Sequence, residues 1–247
     1  MLNSHLPQDA HTALLIGRLW VPEAGAHVVA VTPQDVFDLS ELASTSSALL
    51  ELPDVATRVQ DFVNSGLAPV LCSTDQALDN SLQAQHKPDA PWFMAPCDLQ
   101  AVKAAGVTFV ASMLERVIEE QARGDASRAE AVRQAVVAVI GDNLRSVVPG
   151  SAQAAQLKQV LLSQGMWSQY LEVGIGPDAE IFTKSQPMSA VGSGAWVGIH
   201  PASQWNNPEP EIVLATNSRG QVVGATLGND VNLRDFEGRS ALLLGKA

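Results

Sequence analysis

The side chains best suited to chemistry in this 247-residue chain fall in one stretch, NNPEPEIVLATNSRGQVVGATLGNDVNLRD, residues 206–235. Residues two apart on a strand point to the same face, so Glu209 and Glu211 project together. Asn217 to Gln221 reads as the reversal of a hairpin, and two registers are open to it. A two-residue loop, Arg219 and Gly220, sets Glu209 opposite Asp230 and Glu211 opposite Gly228, whose missing side chain leaves room for a ligand. A three-residue loop with Gly220 left-handed slips the pairing by one, and Asp230 then needs a bulge or a strand end to reach that face. The first register is preferred. Three carboxylates within about 5 Å repel one another, so something positive should sit among them. Oxygen-only ligands without His or Cys select a hard cation, with Mg2+ the usual choice. An isolated E-x-E is ordinarily a solvated edge strand; the opposed Asp230 with Pro208, Pro210 and Gly228 distinguishes this one.

The elements that must carry these groups follow from the spacing of apolar residues and turn formers. Ala13 to Trp20 and His27 to Val31 read as short strands joined by a turn at Pro22 to Gly25, with Thr32 and Pro33 as a breaker. Leu39 to Leu52 and Val55 to Asn64 read as weak helices, and the polar run Ser73 to Pro91 as a loop or linker. From Gly106, Val110, Met113, Leu114, Val117 and Ile118 mark one helical face. Ser127 and Glu130 form a capping box for a second helix. A third begins near Ser151, buries Leu157, Val160 and Leu161, and stops at Gly165. Strands are expected at Glu180 to Thr183, Ala195 to Ile199, Glu209 to Thr216 and Val222 to Leu227. The fold class is therefore α+β. A small β-rich N-terminal domain over residues 1–95 precedes a helical segment and a mixed β-roll or sandwich within 96–247.

Composition narrows the function classes. With 46% apolar and 17% charged residues the chain can bury a sizeable core. A net charge of -11, with no run of Lys or Arg, argues against nucleic-acid binding. An acidic surface repels anions, so an acid substrate needs a bound cation or a few placed basic groups. Cys72 and Cys97 form no paired motif, which makes a reduced cytoplasmic setting the default, and no segment reads as a signal peptide or membrane span. The five histidines show no ligand spacing. Trp167, Trp196 and Trp205 read as core or pocket wall.

The strings PEPEIVL and GNDVNLRDFEG resemble the metal-binding core of the fumarylacetoacetate hydrolase family. AAGVTFVASMLERVIEEQARGD, SQYLEVGIGPDAEIFTK and WNNPEPE look like its branch that dehydrates 2-keto-3-deoxy-pentonates, with the likeness running from about Pro96 to Ala247. The resemblance implies that Glu209, Glu211 and Asp230 ligate Mg2+, for which Mn2+ or Ca2+ can substitute. It implies that Glu180 is an acid/base group beside the substrate, and that Lys184 steadies the substrate or the strand. It further implies a small 2-keto acid substrate and a homodimer or larger homo-oligomer.

One feature of that branch has no counterpart here. Its members place a catalytic Lys after the metal-binding Asp, in a string like GKAK, whereas this sequence runs Gly245, Lys246, Ala247. The two explanations are a chain that is part of a longer protein, which is preferred, and a shifted role for Lys246. The implied reaction is loss of a C3 proton and the C4 hydroxyl from a 2-keto-3-deoxy-pentonate, giving 2,5-dioxopentanoate. Cleavage of an acylpyruvate C–C bond is the alternative that the same metal core allows, although the His and Glu dyad of the related hydrolases has no match.

Overall fold

The computed structural model describes residues 5–106, 127, 129–131, 133–134, 138, 147–163, 165, 167, 169–178 and 181–237. The chain divides into two compact units, one of residues 1–102 with 184–247 and one of residues 103–183.

The first unit begins with five antiparallel strands: β1 (Leu15–Val21), β2 (Gly25–Val31), β3 (Asp35–Asp38), β4 (Val70–Ser73) and β5 (Trp92–Met94), in the order β4-β3-β2-β1-β5. The turn into β2 needs the left-handed conformations of Glu23 (φ 63°) and Gly25 (φ 95°). β2 is central and apolar on both sides, so its alternation serves two cores rather than one core and solvent. Val28 and Ala30 pack with Leu39, Leu49 and Val59 from one side, and Val29 and Val31 with Leu19, Val36 and Ala77 from the other. The first side is covered by α1 (Ser46–Leu50) and α2 (Val55–Asn64), the second by α3 (Thr74–Ser81). Each such Val or Leu, fully buried, stabilises the fold by about 1.5–3 kcal/mol.

Three expectations are corrected in this unit. Only Ser46 to Leu50 of the stretch 39–52 is α-helical; its N-cap Thr45 accepts a hydrogen bond from the Ala48 amide. The run 73–91 is not a structureless linker, because it contains α3. Ser73 caps that helix by accepting from the Gln76 amide, and Asp75 sits in its first turn. The polar composition that hides the helix is partly buried function: the Asn80 amide donates to the carbonyls of Lys87, Ala90 and Pro91, satisfying the loop that follows. Residues 195–199, expected as a strand, pair with nothing in a sheet. The preceding segment instead lays its backbone against β5 and α3, where a Cβ on Gly192 would collide with the Phe93 carbonyl and one on Gly194 with that of Ser81.

The second unit contains α4 (Ala152–Ser163) and α5 (Gln169–Ile175); the latter was not expected. α4 fulfils its pattern: Ser151 accepts from the Ala154 amide, Leu157 and Leu161 are buried, and Gly165 ends the turn at φ 66°. Lys158 pairs with Glu172 of α5 and lies 5.0 Å from the Trp167 ring centre. β6 (Val102–Ala105) pairs with β7 (Ile181–Ser185), and Lys103 Nζ donates to Thr183 Oγ1 at 2.6 Å. The expected helix over 106–124 lies outside the described residues. Of the second expected helix, the described positions between 127 and 138 are helical. Ser127 is itself one of them, so it is not a cap standing outside the first turn. Glu130 binds Arg133 and Gln134.

A buried ion pair ties the end of the N-terminal sheet to α1. Asp98 accepts from the Ser46, Ser47 and Leu99 amides at 2.7, 3.0 and 2.7 Å, and Arg18 Nε lies 3.6 Å from its carboxylate. Arg18 also donates to the Cys97 carbonyl at 3.0 Å. Asp98→Ala strands a buried guanidinium and uncaps α1 together, so urea titration should show a loss of about 3–5 kcal/mol.

Candidate metal centre

The remaining strands of the first unit form one long ribbon. β8 (Asn206–Asn207), β9 (Pro210–Thr216), β10 (Val222–Asn229) and β11 (Asn232–Leu233) fall into two ladders, β9 with β10 and β8 with β11. Their registers are continuous: Glu211 faces Gly228, Pro210 faces Asn229, Asn207 faces Asn232 and Asn206 faces Leu233. Between them the Asp230 amide donates to the Glu209 carbonyl at 2.9 Å, and beyond them the Arg234 amide donates to the Trp205 carbonyl at 2.8 Å. These bonded pairs place the N–H of positions 208 and 210 on the open edge, where proline loses no ladder bond and blocks further pairing.

Each of the two hairpin alternatives supplies part of the result. The loop has three residues, with Gly220 left-handed at φ 74° and the Asn217 amide donating to the Gln221 carbonyl. Val222 accordingly faces Thr216, one step out of phase. An irregularity between Val222 and Gly224 then restores the preferred pairing, so that Gly224 faces Ala215 and everything beyond follows. The bulge thus delivers Asp230 to the face of Glu209 and Glu211. Gly228 is needed for a reason besides ligand space, since a Cβ there would stand 2.7 Å from a methyl of Val213.

Glu209, Glu211 and Asp230 each offer a carboxylate oxygen, all within 4.8 Å of one another. Glu211 is exposed, whereas Glu209 and Asp230 are partly covered. Positive charge stands beside Asp230 and Glu209. Lys184 Nζ lies 3.0 Å from Asp230 and 4.0 Å from Glu237, and Arg234 lies 3.4 Å from Glu209. The Glu209 amide donates to the side-chain oxygen of Asn229 at 3.0 Å, fixing the strand where the prolines interrupt it. Glu180 lies outside the described residues.

Arg234 was missed in the sequence, although the preferred register, extended by four residues, puts it on the carboxylate face. Trp196 and Trp205 are not core; they are 78% and 56% exposed. The His200 ring meets that of Phe236 in a tilted arrangement, at 50° with centres 4.8 Å apart. Away from this ribbon, His27 meets Asp38 and Ser40 at 3.1 and 3.2 Å, but all through Nδ1. That arrangement does not place the ring between a nucleophile and an acid as a triad requires. Burial, with the charge of Asp35, pushes the Cys72 thiol up to about 11, so it is no nucleophile at neutral pH.

No known family profile matches the chain. Over 78 residues, 32% of this chain, it is 38% identical to a protein of Haloferax volcanii called "Probable 2-keto-3-deoxyxylonate dehydratase". Over 65 residues, 26% of the chain, it is 38% identical to the 2-dehydro-3-deoxy-D-arabinonate dehydratase of Saccharolobus solfataricus. Those matches span 27% and 22% of the two relatives. Among solved structures, 2-keto-3-deoxy-D-arabinonate dehydratase complexed with magnesium and 2,5-dioxopentanoate aligns with 93% of this chain at a TM-score of 0.52 and 18% identity. Its apo form aligns at 0.51. The chain has this fold and spans 59% of the length of those structures. Among the described residues no helix is long and apolar enough to cross a membrane.

The ribbon's tip is fastened to the C-cap of α1. Glu51 accepts from the Ser218 amide at 2.6 Å and hydroxyl at 2.8 Å, and Arg219 lies 3.6 Å away. The Ser218 hydrogen bonds, foremost its hydroxyl, hold the Glu51 carboxyl below its ordinary value. A depressed carboxylate contributes its tether above the ordinary range and loses it as pH falls through the lowered value. Hydrogen-exchange protection at residues 217–221, measured against the intrinsic rate at each pH, should therefore fall on acidification, and Glu51→Gln should show the lower protection already at neutral pH.

Proposed function

We propose that the chain is part of a Mg2+-dependent hydro-lyase that converts a 2-keto-3-deoxy-pentonate to 2,5-dioxopentanoate. The observation that carries this is the meeting of Glu209, Glu211 and Asp230 on one ribbon face in a fold shared with a dehydratase of that class. The donor set fits the ion. It is all oxygen, its atoms lie within 4.8 Å, and bonds of about 2.1 Å bring them onto one cation with small torsional adjustments. Exposure of Glu211 leaves positions open to water and substrate. The part of the sequence from 96 onward belongs to the catalytic domain in this reading, and residues 1–95 to an N-terminal domain.

Bound Mg2+ would supply Lewis acidity toward the carboxylate and keto oxygens of a 2-keto acid, acidifying the C3 protons. The protein's own groups do the rest. Lys184 holds Asp230, and Arg234 holds Glu209, each in the rotamer that faces its neighbours. Together they offset part of the charge that otherwise repels an anionic substrate. Glu180 is assigned the proton transfer, for which a base must come within about 3 Å of C3. Loss of one C3 proton and the C4 hydroxyl releases one water and leaves a C3–C4 double bond; proton movement from C5 to C3 shifts it to the C4–C5 enol, and transfer of the enol hydroxyl proton to C4 completes the semialdehyde. In this reading the protein is a homo-oligomer, as the family resemblance of its sequence implies, and cytoplasmic, as its unpaired cysteines imply.

Incubation of the full-length protein with 2-keto-3-deoxyxylonate and Mg2+ should yield 2,5-dioxopentanoate, and chelation should abolish it. Release of pyruvate from an acylpyruvate, with sugar acids inert, would replace this reading by the hydrolase. Glu211→Gln should weaken Mg2+ binding by about tenfold or more in calorimetry with an unchanged circular dichroism spectrum. An unchanged affinity removes Glu211 from the site.

A further inference from the structure

Lys184 of β7 stands between two carboxylates. Its Nζ lies 3.0 Å from Asp230, a member of the acidic cluster, and 4.0 Å from Glu237, which is not one. Glu237 ends the helical turn Arg234–Glu237, which folds the chain back after the ribbon and brings this acid to the ammonium. The side chains of Asp230, Lys184 and Glu237 are largely withdrawn from water, at 17, 14 and 11% exposure.

The two distances are unequal. The ammonium is within hydrogen-bonding reach of Asp230 and just beyond it for Glu237. Asp230 is also the partner that a metal ion claims. An ammonium deprived of that partner, in a place with little water, must either leave or remain as an uncompensated charge, and the second is costly. Glu237 supplies another acceptor, since a shift of about 1 Å brings the ammonium to hydrogen-bonding distance. The flexible four-carbon stem and rotatable donors of lysine suit such a shift. Asp235, the other acid of the turn, is engaged elsewhere, accepting from the Ser203 hydroxyl and the Gln204 amide at 2.7 and 2.9 Å.

We infer that Glu237 is a positioning residue of the metal centre: it receives the Lys184 ammonium when a cation takes Asp230, and so keeps that positive charge seated beside the site. The role passes through Lys184 and needs no contact between Glu237 and the metal. Without Glu237 the ion must expel an ammonium as well as bind. The inference rests on the metal-site reading above but not on the reaction being a dehydration.

The test is Glu237→Gln, which keeps the shape and removes the charge. The readout is the rate at which an amine-acylating reagent labels Lys184 of the full-length protein at fixed pH, followed by mass spectrometry. The wild type should be labelled slowly with and without Mg2+. The variant should be labelled slowly without the ion, where Asp230 still holds the ammonium, and about fivefold faster at saturating Mg2+, the scale of one lost ion pair. Its Mg2+ affinity in calorimetry should fall by a similar factor. A variant labelled no faster with Mg2+ than without it overturns the inference and leaves Glu237 a structural or through-space role. A wild type whose Lys184 is labelled faster once Mg2+ binds overturns it as well. A wild type that binds no Mg2+ in calorimetry overturns the metal-site reading and this inference with it. Should the glutamine variant fail to fold, Glu237→Asp, whose carboxylate is set back by one methylene, must show the same Mg2+-dependent rise.

Discussion

The pairing of two extended segments, 205–216 with 222–234, is the constraint on which the candidate site depends. Because side chains alternate with a period of two, a slip of one residue would send Asp230 to the face opposite Glu209 and dissolve the acidic cluster. One register therefore sets three carboxylates at once, and Arg234, where the chain turns helical, reaches Glu209 from beyond the ladder. The prolines at 208 and 210 protect it, since they sit where their missing N–H groups cost nothing and where a competing strand would have to pair.

The ribbon does not hold itself in place. Two strands alone are marginal in water, and Ile212 and Leu227 are 74% and 81% exposed. What fixes it is polar contact at both ends. The tip is tied through Glu51 to a helix seated on the N-terminal sheet, and the base through Lys184 of β7, which meets Asp230. Positioning therefore passes from the hydrophobic cores around β2, through α1, to the hairpin. Arg18 and Asp98 secure the other end of α1 in the same unit.

Electrostatically, the face is a mixed one. The chain carries a net charge of -11, yet Lys184 stands against Asp230 and Arg234 against Glu209. They lower the repulsion among the clustered groups, of which Glu211 is the exposed one. Such an arrangement holds acidic groups ready for a cation while limiting the cost of keeping them together.

What the sequence determined by itself was local and periodic. The alternation of E-x-E put Glu209 and Glu211 on one face, and the turn formers at 217–221 with the spacing to Asp230 narrowed its placement to two registers, because cross-strand geometry is rigid. β1, β2, α2 and α4 were legible for the same reason, each having an apolar period or a cap within a few residues. Tertiary structure decided the rest. The bulge at Val223 reconciles a three-residue loop with the register of a two-residue one, and no local propensity announces it. α3 is polar in part because Asn80 serves the loop that follows it, and the segment before residues 195–199 lies with its glycines against β5 and α3. The meeting of Lys184 with Glu237 is a matter of packing, and packing belongs to what surrounds a residue rather than to the residue.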